Sequence, residues 1–219
     1  MKRLIIAIDG PSGAGKGTIS RTVAETLNYR HIDTGAMYRA VGWKANYDGV
    51  ALDDEPAVAA LAERAALHIE GGVVSIEGHD VTKAIRSPEI DKAAASVARL
   101  PKVREVLVAR QRQIGEQRGV VMEGRDIGTV VFPEADVKIY LDASPEERAR
   151  RRANDPAHTG GQAGQAAVAA SIEARDKSDT TRAASPLTLA QDATLIDTTG
   201  MPIDEVVSRV MNLVSARIN

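Results

Sequence analysis

The fold is decided by one stretch near the start of the chain: Leu4-Ile5-Ile6-Ala7-Ile8-Asp9, then Gly10-Pro11-Ser12-Gly13-Ala14-Gly15-Lys16-Gly17-Thr18. Leu4 to Ile8 is apolar on both faces, the pattern of a buried parallel strand. The glycines let successive backbone N–H groups turn toward one anion, and a helix opening at Lys16 adds its positive end. The spacing of Gly10 and Gly15-Lys16 is that of a phosphate-binding loop, in which Lys16 reaches the outer phosphates of a nucleotide. One position departs from the pattern. Such loops place Ser or Thr directly after the lysine to ligate Mg²⁺, whereas here Gly17 stands there and Thr18 follows. Either the metal is held mainly by phosphates and water, or the loop is a variant. The alternative of a plain glycine-rich turn with a surface lysine does not account for the strand and helix on either side.

Working outward, the 219 residues fit one domain, or one domain with an insertion, and a hydrophobic fraction of 43 % supports a sizeable core. Aromatics make up only 3 %, so that core is built from Ala, Val, Ile and Leu. A net charge of −2 gives no polyanion-binding surface as a bulk property, so no nucleic-acid partner is expected. The absence of cysteine excludes disulfides and thiolate metal sites. The apolar run is too short for a signal peptide or a membrane span, so the expected setting is the cytoplasm with no membrane partner. No exposed apolar stripe stands out, and a monomer is expected.

The remainder alternates strand and helix. A helix is expected over residues 16–28, a strand at His31-Ile32-Asp33, and a helix from Thr34-Gly35 to about Asp48-Gly49. Pro56 to Ala66 reads as helix. Leu67 to Ile69 and Val73 to Ile76 flank Gly71-Gly72, a hairpin signal. Glu77-Gly78-His79-Asp80 reads as a turn, and Thr82 to Arg86 and Pro88 to Arg99 as helix. A further helix follows Pro101. Strands are expected at Gly119 to Met122 and Val137 to Leu141, and a helix from the Ser144 cap and Pro145. From Pro156 to Ala170 the composition turns to Gly, Ala and Gln, either a lid hinge or a tolerant loop. Ser171 to Lys177 resumes helix, Thr194 to Ile196 is a last strand and Ile203 to Ile218 a last helix. This order implies an α/β fold, a parallel sheet with helices on both faces, which binds ligands at the carboxyl ends of its strands.

Chemistry-bearing residues gather at those ends. Arg39 follows the second strand, Arg125 the third, and Arg148, Arg151 and Arg152 lie on the helix after the fourth. Arg175 and Arg182 flank Asp176 and Asp179. Singly, each reads as a solvated charge; together they suit a pocket that neutralises two phosphorylated molecules. None of the four histidines sits in a triad or metal motif, and His31 reads as structural. An alcohol acceptor would need a carboxylate to take its proton, for which Asp33 or Asp126 could serve. A phosphate monoester acceptor is already largely ionised at neutral pH, and positioning with charge stabilisation then suffices.

These motifs resemble those of the bacterial cytidylate kinases, within the nucleoside monophosphate kinases. The resemblance rests on Gly10 to Thr18, on Asp33-Thr34-Gly35-Ala36-Met37-Tyr38-Arg39, on Val103-Arg104-Glu105 and on Gly124-Arg125-Asp126-Ile127-Gly128-Thr129-Val130-Val131-Phe132-Pro133. Arg175-Asp176 with Asp179 and Arg182 belong to it too, and it runs from the first strand to the last. It implies a P-loop kinase fold over 1–219, with an acceptor-binding insert at 56–99 and a lid at about 148–182. It also accounts for Gly17, since the Gly-Lys-Gly-Thr variant is shared by these kinases. The implied reaction is transfer of the γ-phosphoryl group of ATP to CMP or dCMP with Mg²⁺, which has no direct protein ligand. Gly10, Pro11, Ser12, Gly13, Ala14, Gly15, Lys16, Gly17 and Thr18 would hold ATP. Arg39 and Arg125, with Thr34 beside them, would hold the acceptor phosphate, Arg104 and Asp126 the cytosine, and Arg182 the base or phosphate. Arg175 and Asp179 would meet the pentose hydroxyls. Lys16 and the lid arginines Arg148, Arg151 and Arg152 would be catalytic. Relatives often carry a serine at the position of Ala95 that helps hold the base; either Ser96 replaces it or that contact is missing.

Overall fold

The computed structural model describes residues 3–155 and 165–218. Its elements in chain order are β1 (Ile5–Asp9), α1 (Lys16–Leu27), β2 (Arg30–Asp33), α2 (Thr34–Tyr47), α3 (Glu55–Arg64), β3 (Leu67–Glu70), β4 (Val73–Ile76), β5 (His79–Asp80), α4 (Pro88–Val97), α5 (Pro101–Gly115), β6 (Val120–Gly124), β7 (Val137–Asp142), α6 (Pro145–Ala153), α7 (Gln165–Thr181), β8 (Thr194–Asp197) and α8 (Ile203–Ile218). Five strands form one sheet in the order β2-β6-β1-β7-β8, with every neighbouring pair parallel. β1 is buried throughout and pairs with β6 on one side and β7 on the other. The chain leaves β1 toward one side and later returns to the other, so a crevice opens at its carboxyl end.

Alternation along β1 builds two cores. Leu4, Ile6 and Ile8 pack with Ile19 and Val23 of α1 and with Val206, Val210 and Val214 of α8. Ile5 and Ala7 face the other way, against Val108 of α5 and against Ile127 and Val131. Helices thus cover both faces, as the apolar runs predict. A third cluster lies between α2 and α5, where Met37, Val58, Leu61, Ile76, Ile85 and Leu107 surround a three-stranded antiparallel sheet, β3-β4-β5. The β3–β4 turn is Gly71-Gly72, with φ of +57° and +82°, a geometry that glycine adopts without steric penalty.

Three expectations change. Residues 77–80 are not one turn, because His79–Asp80 adds a third strand to the hairpin. Thr82 to Arg86 is not a helix beyond a single 3₁₀ turn at Ala84–Arg86. The Thr82 hydroxyl accepts from Val74 N at 2.9 Å, and Thr82 N donates to Asp80 Oδ1 at 2.9 Å, so local side-chain bonds hold this segment to the strand. The helix expected from Ser171 starts at Gln165, since the alanine-rich run before it favours helix. Of the Gly/Ala/Gln stretch, residues 156–164 lie outside the described residues. No helix among the described residues is long and apolar enough to cross a membrane.

Candidate active site

The phosphate loop is fixed by its neighbours. Gly10 has φ +148°, and a Cβ there would stand 2.0 Å from Leu141 O, so β7 admits only glycine. Lys16 Nζ donates to Pro11 O at 2.6 Å. Burial, and next the nearby Arg125 charge, lower its pKa to about 7. Behind the loop, Arg148 Nη1 donates to Ser12 O at 3.1 Å and pairs with Asp176, while its Nε donates to Ala143 O at 3.1 Å. Asp176 Oδ1 accepts in turn from Ser12 N at 3.3 Å. Asp9, at the end of β1, accepts from Ile127 N at 2.8 Å and Gly128 N at 2.7 Å. Burial raises its pKa to about 6 against the pull of those two bonds.

In front of the loop lies a cleft of about 670 Å³, lined among others by Lys16, Arg39, Glu123, Arg125, Arg151 and Arg152. Several of its arginines have carboxylate partners. Arg39 Nη2 donates to Asp33 Oδ2 at 2.7 Å, Arg125 Nε to Asp179 Oδ2 at 2.9 Å, and Arg152 Nη2 to Asp91 Oδ2 at 2.5 Å. Arg151 Nε donates to Glu147 Oε1 at 2.8 Å and its Nη2 to Thr198 O at 2.7 Å. Burial is the largest influence on Asp33 and Asp179 and works against their charges, but Arg39 with His31 and the Ala36 N–H, and Arg125 with Arg175 and Arg182, together outweigh it, and both pKa values fall below the ordinary value. Both groups named as bases for an alcohol acceptor are therefore committed, Asp33 to Arg39 and Asp126 to Arg104.

Behind the acceptor end sits a denser cluster. Arg104 and Asp126 form an ion pair, Arg182 Nη2 lies 3.6 Å from Asp126 Oδ1, and Arg104 stacks 5.4 Å over the Tyr38 ring. Arg104, Asp126 and Arg182 are each at most 5 % exposed. Burial pushes the Tyr38 phenol up to about 12, with Gln111 close by. Tyr38 OH, Arg104 Nε, Gln111 Nε2 and Arg182 Nη2 have no hydrogen-bond partner among the described residues. Arg182 Nη2 keeps its longer ion pair to Asp126, and Tyr38 and Gln111 lie side by side, so the cluster holds donors in reserve for a polar group.

The structure thus brings Lys16, Arg39, Arg125, Arg151, Arg152 and Arg175 to one cleft, and Arg104, Asp126, Asp179 and Arg182 to its back wall. Two expected residues fall elsewhere. Arg148 is buried behind the loop and engaged by Ser12, Ala143 and Asp176, because its position on α6 faces inward while Arg151 and Arg152 face the cleft. The Thr34 hydroxyl donates to Glu123 O at 2.7 Å, tying α2 to β6. Ala95 lines a second cavity while Ser96 is exposed, so Ser96 does not take its place.

Sequence reasoning missed Glu123 and Asp91, and named Asp176 without giving it a role. Glu123 was visible as a carboxylate ending an otherwise apolar strand. Its Oε1 pairs with His31 Nε2 at 2.9 Å and lies 3.4 Å from where a Cβ on Gly17 would stand. A carboxylate therefore occupies the ground in front of the glycine that replaces the usual hydroxyl. Among the described residues no group of three or more metal-binding side chains occurs. One carboxylate beside a phosphate loop fits an ion that keeps several waters and takes its other ligands from phosphate, as Mg²⁺ does.

A five-stranded parallel sheet with a phosphate loop at its switch point and a cationic cleft defines a P-loop phosphotransferase. Solved structures agree at the level of fold. A shikimate kinase from Bacteroides thetaiotaomicron superposes with a TM-score of 0.54 at 12 % identity, covering 98 % of this chain and 99 % of its own. A gluconokinase from Sinorhizobium meliloti gives 0.52 at 13 %, covering 98 % and 94 %. The sequence model of the cytidylate kinase family matches residues 6–216. A cytidylate kinase of Pelotomaculum thermopropionicum is 51 % identical over 216 residues, 96 % of each chain, and one of Solibacter usitatus 47 % over 224 residues, 99 % of this chain and 94 % of its own. The chain belongs to the cytidylate kinase family, and is thus an enzyme of the nucleoside monophosphate kinase class.

Proposed function

We propose that this cleft transfers the γ-phosphoryl group of ATP to CMP or dCMP, giving ADP and CDP or dCDP. The observation that carries the reading is the pairing of two sites. Lys16 and its loop share one cleft with Arg39 and Arg125, and Asp179 links Arg125 to the Arg104–Asp126–Arg182 cluster. The backbone of the loop and Lys16 hold the donor phosphates. Arg39 and Arg125 hold the acceptor phosphate, whose oxygen needs no base at neutral pH. Asp126 accepts from the cytosine amino group, and Arg104 donates to its carbonyl and ring nitrogen. Arg175 and Asp179 meet the pentose. Arg151 and Arg152 supply charge to the transferred group, and Arg148 acts through the loop it supports. Residues 56–99 serve as acceptor insert and about 148–182 as lid.

Glu123 beside Gly17 fits Mg²⁺ held mainly by phosphates and water; when bound the ion would neutralise charge that builds on the phosphates. The expected setting is the cytoplasm, and a monomer is supported by the scatter of exposed large apolar side chains at Tyr47, Val73, Leu189, Leu195 and Ile203. The test is a coupled assay for ADP with ATP, Mg²⁺ and each of CMP, dCMP, UMP, AMP and GMP. Turnover with CMP or dCMP well above the purine nucleotides is expected, and turnover with AMP or GMP alone would sink the assignment.

A further inference from the structure

Asp91 lies in the first turn of α4, on the wall formed by residues 55–97, yet its carboxylate reaches the opposite wall. Arg152 Nη2 of α6 donates to Oδ2 at 2.5 Å, and Arg175 Nη1 of α7 stands 3.4 Å from Oδ1. All three side chains are about one-fifth exposed, at 17 %, 21 % and 20 %. They line a second cavity of about 520 Å³ between α4 and α7, and Arg152 and Arg175 line the main cleft as well. Arg39 and Asp155 also face Arg152, while Arg125, Asp179 and Arg39 face Arg175.

Two guanidinium groups share this carboxylate, with Asp155 near Arg152 and Asp179 near Arg175. The carboxylate presents one oxygen to each arginine, as a phosphate does with more oxygens and more charge. The 3.4 Å contact is longer than an ordinary N–H···O bond, so Arg175 is the more loosely held. In its place on the wall Asp91 therefore does what a phosphate would do, less strongly.

We propose that Asp91 is a positioning residue for phosphoryl transfer: it holds Arg152 and Arg175 across the cleft as a placeholder, and an entering polyphosphate takes its place on Arg152. This rests on the cleft being a nucleotide phosphate site. It makes Asp91 a competitor for the incoming anion as well as a guide for the two arginines.

The test is titration calorimetry with inorganic tripolyphosphate on the full chain and on Asp91→Asn and Asp91→Glu. Asp91→Asn keeps the shape and removes the charge, so its affinity rises by about two- to fivefold, the range expected for removing one partly exposed ion-pair competitor. Asp91→Glu stays near wild type, and the KM for ATP falls in Asp91→Asn. A role confined to packing predicts the reverse, and affinity in Asp91→Asn equal to or weaker than wild type overturns the proposal. A second variant guards against an indirect change of structure. In an Arg152→Gln background Asp91→Asn has less than about a twofold effect, because the guanidinium for which Asp91 and the anion compete is gone; full additivity overturns the proposal. Failure of the wild-type chain to bind tripolyphosphate would overturn the nucleotide reading with it, whereas failure of the variant comparison alone leaves that reading standing.

Discussion

Lys16 and Asp9 sit at the two ends of one short loop, and burial drives both away from their charged forms, so pH reads them directly. Lys16 has its pKa lowered to about 7 by burial, with Arg125 adding to the effect. Donor phosphates bring negative charge to Nζ and restore the protonated form. Binding of ATP at pH 8 is therefore expected to take up a proton. Calorimetry in buffers of different ionisation enthalpy measures it, and Lys16→Ala abolishes the uptake; identical enthalpies in all buffers would remove this role. Asp9 has a folded value of about 6 against 3.8 unfolded, with burial as the largest cause. Between those values the folded chain holds the proton and the unfolded chain does not. Stability from this group is thus present at low pH and lost as pH rises from about 4 to about 6, by about 3 kcal/mol. Asp33 and Asp179 have the opposite sign, since their depressed values make stability fall as pH drops below the unfolded carboxylate range. Urea denaturation at pH 4, 5 and 6 should show the Asp9 loss in the wild type but not in Asp9→Asn; parallel curves for the two proteins would refute it. Neither effect can be read from sequence, because residue type does not reveal burial. The same limit hid Asp91, which looks like an ordinary helix acid until the fold brings arginines to it, and hid the hold of Asp176 on Ser12 and Arg148.

Elements were more legible where one physical signal governed them. β1 and β6 are apolar on both faces and were readable from that alone, as was α8 from its periodic Val206, Val210 and Val214. β5 was not, because two residues carry no period and the strand exists through pairing with Ser75 and Ile76. The turn at Ile127–Val131 was legible as a motif but not as structure, since the Asp9 carboxylate from a distant strand fixes its first N–H groups. The contact of α2 with α4 belongs to the same kind. A Cβ on Gly42 would stand 3.1 Å from Ala93 C and Cβ and 3.2 Å from Ala94 N. Those helices touch through small residues, and no sequence period marks the partner. Gly42→Val must push α4 outward, and overpacking of this kind costs about 1–3 kcal/mol. The strain also falls on α2 itself, one turn from Arg39. Gly42→Val is expected to lower the denaturation midpoint and raise the KM for the acceptor more than that for ATP. An equal rise in both would detach the α2–α4 contact from the acceptor side.

The described residues build three cores. Two lie on the faces of the parallel sheet, the third around the β3-β4-β5 sheet with α2 to α5. The charged groups of the site come from every wall: Lys16 from α1, Arg39 from α2, Asp91 from α4, Arg125 after β6, Arg152 from α6 and Arg175 from α7. With cations on all sides, the cleft is held together by Asp33, Asp91 and Asp179, and a ligand whose phosphate chain spans it gives the arginines a stronger partner. Such a ligand binds folded but not unfolded chain, so it must stabilise the fold. At a thousandfold excess over Kd the gain is about 4 kcal/mol, and a chain of this length shifts its midpoint by about 2–4 °C per kcal/mol. Adenosine and cytidine joined through a pentaphosphate test whether donor and acceptor halves form one continuous site. If they do, the second half binds at an effective concentration in the millimolar range, and the joined ligand outperforms ATP plus CMP at equal concentration. A thermal shift roughly 8–16 °C above the free protein is then expected at a thousandfold excess over Kd. The shift should shrink in Arg39→Gln and Arg125→Gln, whose partners lie at the acceptor half. A joined ligand no better than the mixture would mean that the loop and the arginine wall bind phosphates independently, and the two-substrate reading of the cleft would fall.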